Sequence, residues 1–383
     1  FGSRSFGPMM QPLAPITQIT PLQASKFQLV SLARPAVPAK HVTEESFRAS
    51  LPLASIACAF ACRTLQRYVR KAYAQDVVQA KLNFQADWVQ RGLRYSGVGF
   101  TGAGCAPGNF EFCESESAKV SIKNGRSKSF DLDNHGFTVV DDKTEPINFY
   151  NEKEICQKYY PACEKLVQKV TGASRVIAFY HTIRAPQSST KAKERTRKGG
   201  KVEGPATQVH VDYSQACAER QVRILSKPPT EWPDPKGLLG LQSLITTEEI
   251  DEYLRGAKRW GIMNVWRNLS DAPVRRTPVA LCDGRTIDLD EIVTFGVQQG
   301  FDSKEYYFPV HSEKHEWHYF PEMRKEEAII IKNWDSAGQQ FARKACKNTV
   351  PTTFAYHSAF EDPNTPEGTP LRESMEVRMA VLW

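Results

Sequence analysis

Three residues whose types suit metal binding form the most informative pattern in this sequence. His210-Val-Asp212 places an imidazole and a carboxylate two positions apart, and His357 follows much later in the chain. Residues i and i+2 of a β-strand point to the same side, so one short strand can present both side chains to a single atom. Two histidines and one carboxylate cover one face of an octahedral iron and leave the opposite face open. The pattern therefore predicts that His210, Asp212 and His357 bind iron.

Polar residues alternate with apolar ones after His357, near the C-terminal end of the sequence. Arg372, Ser374, Glu376 and Arg378 recur at every second position, which predicts a strand that presents them on one face. A guanidinium beside an iron site can bind a dicarboxylate such as 2-oxoglutarate through paired hydrogen bonds. Arg378 lies deep in the apolar strand, where its charge needs a bound anion or Glu376. Arg372 lies at the start of the strand, with Ser374 beside it, so both arginines are candidates.

A second alternating stretch, residues 262–267, is also predicted to be a strand. Asn264 and Trp266 share one face of it, whereas Arg267 belongs to the other. One face should line the interior of a β-barrel, where a buried Asn and Trp could orient 2-oxoglutarate or the substrate. For Arg267, a structural ion pair with Asp283 is the alternative to a role at the site.

Seven stretches around these residues closely resemble the fungal hydroxylase/desaturase family, which includes a gibberellin desaturase and relatives of the cephalosporin-cluster methoxylation protein. They are residues 171–176, 181–184, 208–212, 259–267, 278–283, 335–336 and 357–368. The resemblance runs in collinear order over about residues 83 to 383. It is therefore specific to this family rather than to a single short motif.

The resemblance implies a non-haem Fe(II)/2-oxoglutarate-dependent oxygenase of fungal secondary metabolism. The implied fold is α/β with a mainly β core, a double-stranded β-helix (jelly-roll or cupin-like) with flanking helices. His210, Asp212 and His357 match the family's iron ligands, which would leave three iron positions for 2-oxoglutarate and O₂. The match for the co-substrate arginine leaves Arg372 and Arg378 open. The substrate would be a small molecule that is hydroxylated, desaturated or closed into a ring.

The first part of the chain lies outside the resemblance, so we expect residues 1–82 to form an N-terminal extension and residues 83–383 the oxygenase domain. Residues 1–43 contain several prolines and no Asp or Glu. Such acid-poor segments are typical of mitochondrial presequences, but an unstructured arm in a cytoplasmic protein fits the proline content better. Residues 53–75 are predicted to form a helix that packs on the oxygenase or on a second copy of the chain.

Four other segments carry predictions about local structure. Residues 97–104 are rich in glycine but lack the flanking elements of a dinucleotide loop, so we interpret them as a loop. Residues 151–171 predict an amphipathic helix, and residues 176–181 a strand. Residues 185–204 are dense in Pro, Ser, Thr, Gly and basic residues, which favours a solvated loop. Because this segment precedes His210, an active-site lid or steering of an anionic substrate is the alternative.

Three histidines, His311, His315 and His318, form a cluster that could be mistaken for a metal site. The surrounding residues indicate two aromatic strands, in which occasional histidines pack against rings, so we expect a structural role. The nine cysteines are scattered without a Cys-x-x-Cys pair, which excludes a zinc ribbon and favours reduced structural thiols.

Composition limits the remaining classes of function. Across 383 residues, 41% are hydrophobic and the net charge is +7, which indicates a folded protein with a sizeable core. No apolar run approaches the ~20 residues of a membrane span, so we expect no membrane partner. A nucleic-acid-binding module would rest only on the basic cluster near residues 191–201, which lacks interleaved aromatics. A catalytically silent β-helix that binds a small molecule is the other alternative.

Overall fold

The computed structural model describes most of the chain from residue 76 onward. The described residues are 76–87, 99–102, 115–186, 188–197, 200–229, 237, 239–256, 258–299, 302–341 and 348–383. The predicted N-terminal arm and the predicted helix over residues 53–75 lie outside this part of the chain. Among the described residues, no helix is long and apolar enough to cross a membrane.

The described chain is mainly β, with fourteen strands in three sheets. The strands are β1 (Val77–Gln85), β2 (Gly99–Gly102), β3 (Ser115–Asn124), β4 (Phe137–Asp141), β5 (Arg175–Arg184), β6 (Val202–Glu203), β7 (Trp260–Asn268), β8 (Val279–Cys282), β9 (Ile292–Gln299), β10 (Asp302–Pro309), β11 (Trp317–Tyr319), β12 (Glu327–Asp335), β13 (His357–Ala359) and β14 (Ser374–Leu382). Strand β1 lies across the domain boundary predicted at residue 83.

Two of the sheets carry the residues predicted to be functional. The six-stranded sheet has the order β4-β12-β7-β14-β5-β6, and the five-stranded sheet has the order β1-β3-β11-β8-β13. A third sheet contains β10, β9 and β2. Most neighbouring strands are antiparallel, and the parallel pairs are β11 with β3, β5 with β6, and β2 with β9.

The central strands of the six-stranded sheet, β7, β12 and β14, are buried at every position. On β14, the side chains of Met375, Val377, Met379 and Val381 pack into a core with the long helical segment described next. The opposite face carries Ser374, Glu376 and Arg378 before it becomes apolar again. Such a polar stretch inside a strand buried on both faces requires polar partners or a ligand.

The helices flank the sheets. They are α1 (Leu132–His135), α2 (Glu152–Glu154), which continues through a π-helical turn (Ile155–Tyr159) into α3 (Tyr160–Thr171), then α4 (Thr190–Arg197), α5 (Gln215–Ile224) and α6 (Thr247–Leu254). The α2–α3 segment ends at Gly172, whose φ of 66° supplies the left-handed cap. The predicted helix over residues 151–171 and the predicted strand over residues 176–181 are both confirmed. The described cysteines that are free are buried, as expected of structural thiols.

The interpretation of residues 97–104 as a loop is wrong for its central part. Residues 99–102 form β2, which pairs in parallel with β9. The edge of β9 offers N–H and C=O groups that the glycine-rich backbone can pair with, and this pairing outweighs the weak strand propensity of glycine. The flanking residues of this segment lie outside the described part of the chain.

The interpretation of residues 185–204 as a solvated loop is also wrong. The segment contains α4 and the short strand β6. The guanidinium of Arg195 is buried, where it hydrogen-bonds the carboxylate of Glu152 and lies 3.0 Å from Nε2 of His181. The segment has too few apolar residues to form a core of its own, so its order depends on these contacts with residues elsewhere in the chain. A lid role for the segment stays a prediction.

Candidate metal centre

The segment that carries His210 and Asp212 is fixed by backbone bonds on both sides. The N–H of His210 donates to the carbonyl of His357 over 3.2 Å, and the N–H of His357 donates back over 3.1 Å. Val211 exchanges a similar pair of bonds with Tyr307 of β10. The alternation predicted for a strand is thus present, and it brings His210 and Asp212 to one side while the buried Val211 points to the core.

The three predicted metal ligands meet in one buried group. One donor atom from each of His210, Asp212 and His357 lies within 4.8 Å of the other two, and all three residues are buried. The two imidazole rings are adjacent, with centroids 4.4 Å apart. Among the described residues this is the group of His, Cys, Asp and Glu side chains that could hold a metal ion.

The protonation of this group suits a metal cation. Nδ1 of His210 lies 2.7 Å from the carbonyl oxygen of Gln208, an acceptor, so Nδ1 carries the proton and Nε2 is left as a free donor to a metal. Burial, reinforced by the nearby His357, lowers the pKa of His210 to about 3, so this ring is neutral at pH 7. Nε2 of His357 is buried without a hydrogen-bond partner. His210 therefore presents a neutral nitrogen donor, and His357 presents a second nitrogen, Nε2, that has no hydrogen-bond partner.

The carboxylate of Asp212 is held in place by the six-stranded sheet. The side-chain amide of Asn264 donates to Oδ2 over 2.7 Å, and Nη2 of Arg378 donates to Oδ1 over 3.2 Å. Burial alone would raise the pKa of Asp212, but Arg378 and the two histidines hold it below its usual range. Asp212 is therefore ionised. Arg378 also donates to the carboxylate of Glu376 over 3.1 Å, so its charge is balanced by two anions.

Arg372 lies in a different environment. Its Nη1 donates to the carbonyl of Thr277 over 2.5 Å, and its guanidinium lies over the ring of Trp266, 5.6 Å from the centroid. Its Nε and the hydroxyl of Ser374 are buried without partners. In the part of the chain that the structure describes, no carboxylate forms an ion pair with Arg372. Burial, and then the nearby Arg184, lower the pKa of Arg372, and the charges of Glu376 and Glu361 offset this only in part.

The carbonyl that receives Arg372 belongs to a residue with unusual backbone geometry. Thr277 has a φ of 50°, in the left-handed region that non-glycine residues rarely adopt. Such a conformation costs about 1 kcal/mol or more and persists only where the surroundings enforce it. At this position the conformation accompanies the contact between the Thr277 carbonyl and the buried guanidinium.

The structure also tests the other residues singled out in the sequence. Asn264 and Trp266 face the site from β7, as predicted, and Arg267 faces away. The suggested pairing of Arg267 with Asp283 is wrong. Arg267 instead bonds the carboxylate of Asp142 and the hydroxyl of Tyr159, because its side of β7 packs against the helical segment.

The predicted packing role of the three clustered histidines fits their surroundings. The rings of His311 and His315 lie 5.1 and 6.3 Å from that of Phe84, and His318 lies 4.8 Å from Phe130. Nε2 of His315 is 2.8 Å from the carboxylate of Glu291.

Sequence reasoning missed several residues near the triad. Lys304 and Tyr306 lie on the same side of β10, and the ammonium of Lys304 is 5.3 Å from the ring centroid of Tyr180. That ring is also 5.4 Å from the guanidinium carbon of Arg378. The side-chain oxygen of Asn333, on β12, accepts the N–H of Asp212 over 3.3 Å. The alternation of β10 was a usable signal for Lys304, whereas nothing local marked Asn333.

Comparisons with known proteins first give the class. A family model described as an oxidoreductase/YMDC permease-like domain matches residues 86–234 and 237–382. The solved structure of the iron and alpha-ketoglutarate-dependent endoperoxidase NvfI superimposes with a TM-score of 0.61 at 25% identity, covering 81% of this chain and 99% of that chain. The fold and the buried triad are thus those of a metal-dependent oxidoreductase.

Individual relatives narrow the class. The Fe(II)/2-oxoglutarate-dependent dioxygenase nvfI of Aspergillus novofumigatus is 30% identical over 273 residues, which cover 69% of this chain and 82% of the relative. The hydroxylase/desaturase CTB9 of Cercospora beticola is 29% identical over 290 residues, covering 70% and 77%. The chain therefore belongs to the fungal Fe(II)/2-oxoglutarate-dependent hydroxylase/desaturase family, which confirms the resemblance found in the sequence.

Proposed function

We propose that the chain is an iron(II)- and 2-oxoglutarate-dependent oxygenase in which His210, Asp212 and His357 hold the iron. The observation that carries the proposal is the buried meeting of two imidazole nitrogens and one ionised carboxylate, with Nε2 of His357 unpartnered. A buried polar atom without a partner is costly, and a metal ion would satisfy it. The donor set of two nitrogens and one carboxylate oxygen fits iron(II) with three positions left open.

We further propose that Arg372 and Ser374 bind the distal carboxylate of 2-oxoglutarate. Arg372 is a buried cation without a carboxylate partner, and the hydroxyl of Ser374 is a buried donor without an acceptor. Both would be satisfied by one carboxylate, because a guanidinium binds it through two parallel hydrogen bonds. Arg378 is the weaker candidate, since Asp212 and Glu376 already balance its charge through Nη2, although its Nε has no partner.

The residues around the proposed iron site have different roles in the reaction. Iron(II) bound there would supply, together with 2-oxoglutarate and O₂, the chemistry that removes hydrogen from a carbon of a small-molecule substrate. Asn264 and Arg378 orient the carboxylate of Asp212 and keep it ionised. Trp266 covers the guanidinium of Arg372 and excludes water from that side of the co-substrate site.

The fold around the centre fits a double-stranded β-helix, in which residues 83–383 form the oxygenase domain. His357 belongs to the five-stranded sheet, whereas Asn264 and Arg378, which hold Asp212, belong to the six-stranded sheet. One core cluster contains residues from both sheets, including Ile262 and Cys282. This arrangement supports two facing sheets with the metal centre between them. For the cellular location, the cytoplasm stays our prediction, with the mitochondrion as the alternative.

Relatives in the family suggest the kind of substrate. They are named as hydroxylases, desaturases and an endoperoxidase of fungi. We infer that this chain acts oxidatively on a small molecule of fungal secondary metabolism, by hydroxylation, desaturation or ring formation. The alternative, a catalytically silent protein that only binds a small molecule, does not explain why three metal donors and an unpaired guanidinium lie in one buried site.

An anaerobic titration tests the proposal. Iron(II) added with 2-oxoglutarate should give a weak visible charge-transfer band at one equivalent, and His357→Ala should abolish the band while the far-ultraviolet circular dichroism stays unchanged. His311→Gln, a histidine that packs on Phe84 away from the triad, should retain it. A full band and full succinate production in His357→Ala would show that the iron is held elsewhere. Absence of a band in the folded wild type would contradict the whole proposal.

A further inference from the structure

Lys304 is a partly buried cation with no anion to balance it. Its ammonium lies over the ring of Tyr180, and no described residue forms an ion pair or hydrogen bond with it. Lysines that are removed from water are normally paired with a carboxylate, because desolvating an ammonium is costly. Here burial lowers the pKa of Lys304, and the neighbouring Arg378 lowers it further.

The other charges near Lys304 are already paired. Lys201 lies 2.6 Å from the carboxylate of Glu203, and Arg378 is paired with Asp212 and Glu376. Arg184 shares Glu203 and Glu376 with these two cations. Among the described residues near Lys304, the charge left without an ion pair is therefore positive. A local ion pair cannot explain why the ammonium lies there.

The position of Lys304 relative to the triad suggests what would balance it. The ammonium of Lys304 and the guanidinium of Arg378 lie 5.3 and 5.4 Å from the same ring centroid, that of Tyr180, and Arg378 donates directly to Asp212. Two more aromatic residues lie nearby: the ring of Tyr213 is 5.9 Å from the same guanidinium, and Tyr306 shares the side of β10 that carries Lys304. Apolar rings with one free cation among them are suited to an organic molecule that has a single anionic group.

We propose that Lys304 binds an anionic group, a carboxylate or a phosphate, of the organic substrate and so positions the substrate beside the metal centre. The proposal rests on the proposed function and adds the class of substrate: an acidic small molecule, as opposed to a neutral one. The co-substrate is assigned to Arg372, so Lys304 is a specificity-determining residue for the second molecule. Binding involves a charge-assisted hydrogen bond and no covalent step.

Matched probes separate charge from shape. The full chain, loaded anaerobically with iron(II) and 2-oxoglutarate, is titrated calorimetrically with naphthalene-2-carboxylate, 2-naphthyl phosphate and the neutral naphthalene-2-carboxamide. We expect at least one anionic probe to bind about tenfold or more tightly than the amide, since hydrogen bonds to charged groups contribute about 1.5–3 kcal/mol. The tighter of the two anions identifies the preferred group.

Three variants test whether Lys304 is responsible. Lys304→Met should abolish the preference for the anion, and Lys304→Arg should keep most of it. Lys314→Met, which removes an exposed lysine that lies 3.6 Å from Asp288, should bind all three probes as the wild type does. The proposal is overturned if the amide binds the wild type as tightly as the anions do, if no anion binds, or if Lys304→Met keeps the preference.

The same samples distinguish this proposal from the proposed function. The visible band of iron(II) and 2-oxoglutarate should be unchanged in Lys304→Met, and the KM for 2-oxoglutarate should change by less than about twofold. If the band is missing in the wild type, the proposed function fails. If the band is present but its formation in Lys304→Met needs far more 2-oxoglutarate, Lys304 anchors the co-substrate and the present proposal is wrong.

Discussion

Arg372 and Arg378 are buried at two ends of the same polar stretch, yet their surroundings are opposite. Arg378 is paired with Asp212 and Glu376, and those carboxylates hold its pKa well above the usual range. Arg372 has a backbone carbonyl and an aromatic ring but no carboxylate, and burial lowers its pKa. The charge of the first arginine is balanced by carboxylates of the protein, although its Nε, like that of Arg372, is buried without a partner. The charge of the second has no carboxylate partner among the described residues, and we propose that a bound anion balances it.

The difference between the two arginines shows how one polar stretch can contribute both to the stability of the protein and to ligand binding. A buried ion pair that is complete within the protein holds the metal ligand in its charged form, and breaking it leaves an uncompensated charge. A buried cation without a counter-ion destabilises the ligand-free protein. An anionic ligand that pairs with the cation removes this destabilisation, and the free energy gained contributes to its affinity. The two roles can therefore be separated by measuring stability and co-substrate binding independently.

The largest expected effect is on stability, from Arg378→Met. This change leaves two buried carboxylates, Asp212 and Glu376, close together without their shared cation. We expect the metal-free protein to lose about 3–5 kcal/mol of unfolding free energy, measured by urea denaturation. Arg372→Met, the matched control, should be neutral or stabilising in the metal-free protein. Equal losses in the two variants would remove the distinction between them.

The second effect is on 2-oxoglutarate. Arg372→Lys replaces a planar fork by a point charge, so the KM for 2-oxoglutarate should rise about 10- to 100-fold, as measured by succinate production. Arg378→Lys should change this KM by no more than about threefold. The opposite ranking would assign the co-substrate to Arg378 and leave the iron ligands unaffected.

Ser374→Ala should have a smaller effect on the same constant. Its hydroxyl is buried without a partner and is proposed to donate one hydrogen bond to the co-substrate. Losing one such bond should raise the KM about 2- to 10-fold with little change in kcat. Stability of the metal-free protein should be unchanged or slightly higher, because a buried unsatisfied hydroxyl has been removed. A KM equal to that of the wild type would exclude Ser374 from the site.

The smallest expected effect is on the pH dependence of stability. It concerns His318, which is buried and forms no ion pair with a carboxylate among the described residues. Burial lowers the pKa of His318 to about 4, from 6.5, so the unfolded state binds more protons between these values. Stability should therefore fall as the pH drops from about 6.5 to about 4.

His318→Phe tests that contribution. The phenyl ring can keep the contacts with Phe130 and Phe137 but does not titrate. Comparing urea denaturation at pH 7 and pH 4.5, the variant should lose less stability than the wild type. The same loss in both proteins would show that other groups account for the acid sensitivity. At pH 7 the buried guanidinium of Arg372 is still protonated, whereas the buried imidazole of His318 is neutral.

Much of the candidate site could be predicted from sequence because its pattern is local. Two ligands separated by one residue identify a strand with both donors on one side, and the polar alternation from residue 372 to 378 identifies a face. The structure places Ser374, Glu376 and Arg378 together on that face of β14. The choice between the arginines could not be made, because it depends on which carboxylates other strands bring near.

The errors have the same origin. Residues 185–204 have the composition of a solvated loop, but Arg195 finds Glu152 and His181 across the fold, and a helix forms. Arg267 was given a partner from its neighbourhood in sequence, whereas its actual partners, Asp142 and Tyr159, lie on other elements. Ion pairs such as these leave no local pattern in the sequence, so the partners of Arg195 and Arg267 could not be predicted from it.

The position of β14 has a consequence for how the protein is made. This strand is synthesised after every other described strand, yet it pairs with β7 on one side and β5 on the other, in the middle of the largest sheet. Until it is inserted, β5 and β7 have unpaired edges, and the edges of apolar strands are prone to aggregation. The edges of β5 and β7 therefore stay unpaired in the nascent chain until β14 has been synthesised, and truncation before residue 374 would leave them unpaired in the finished protein.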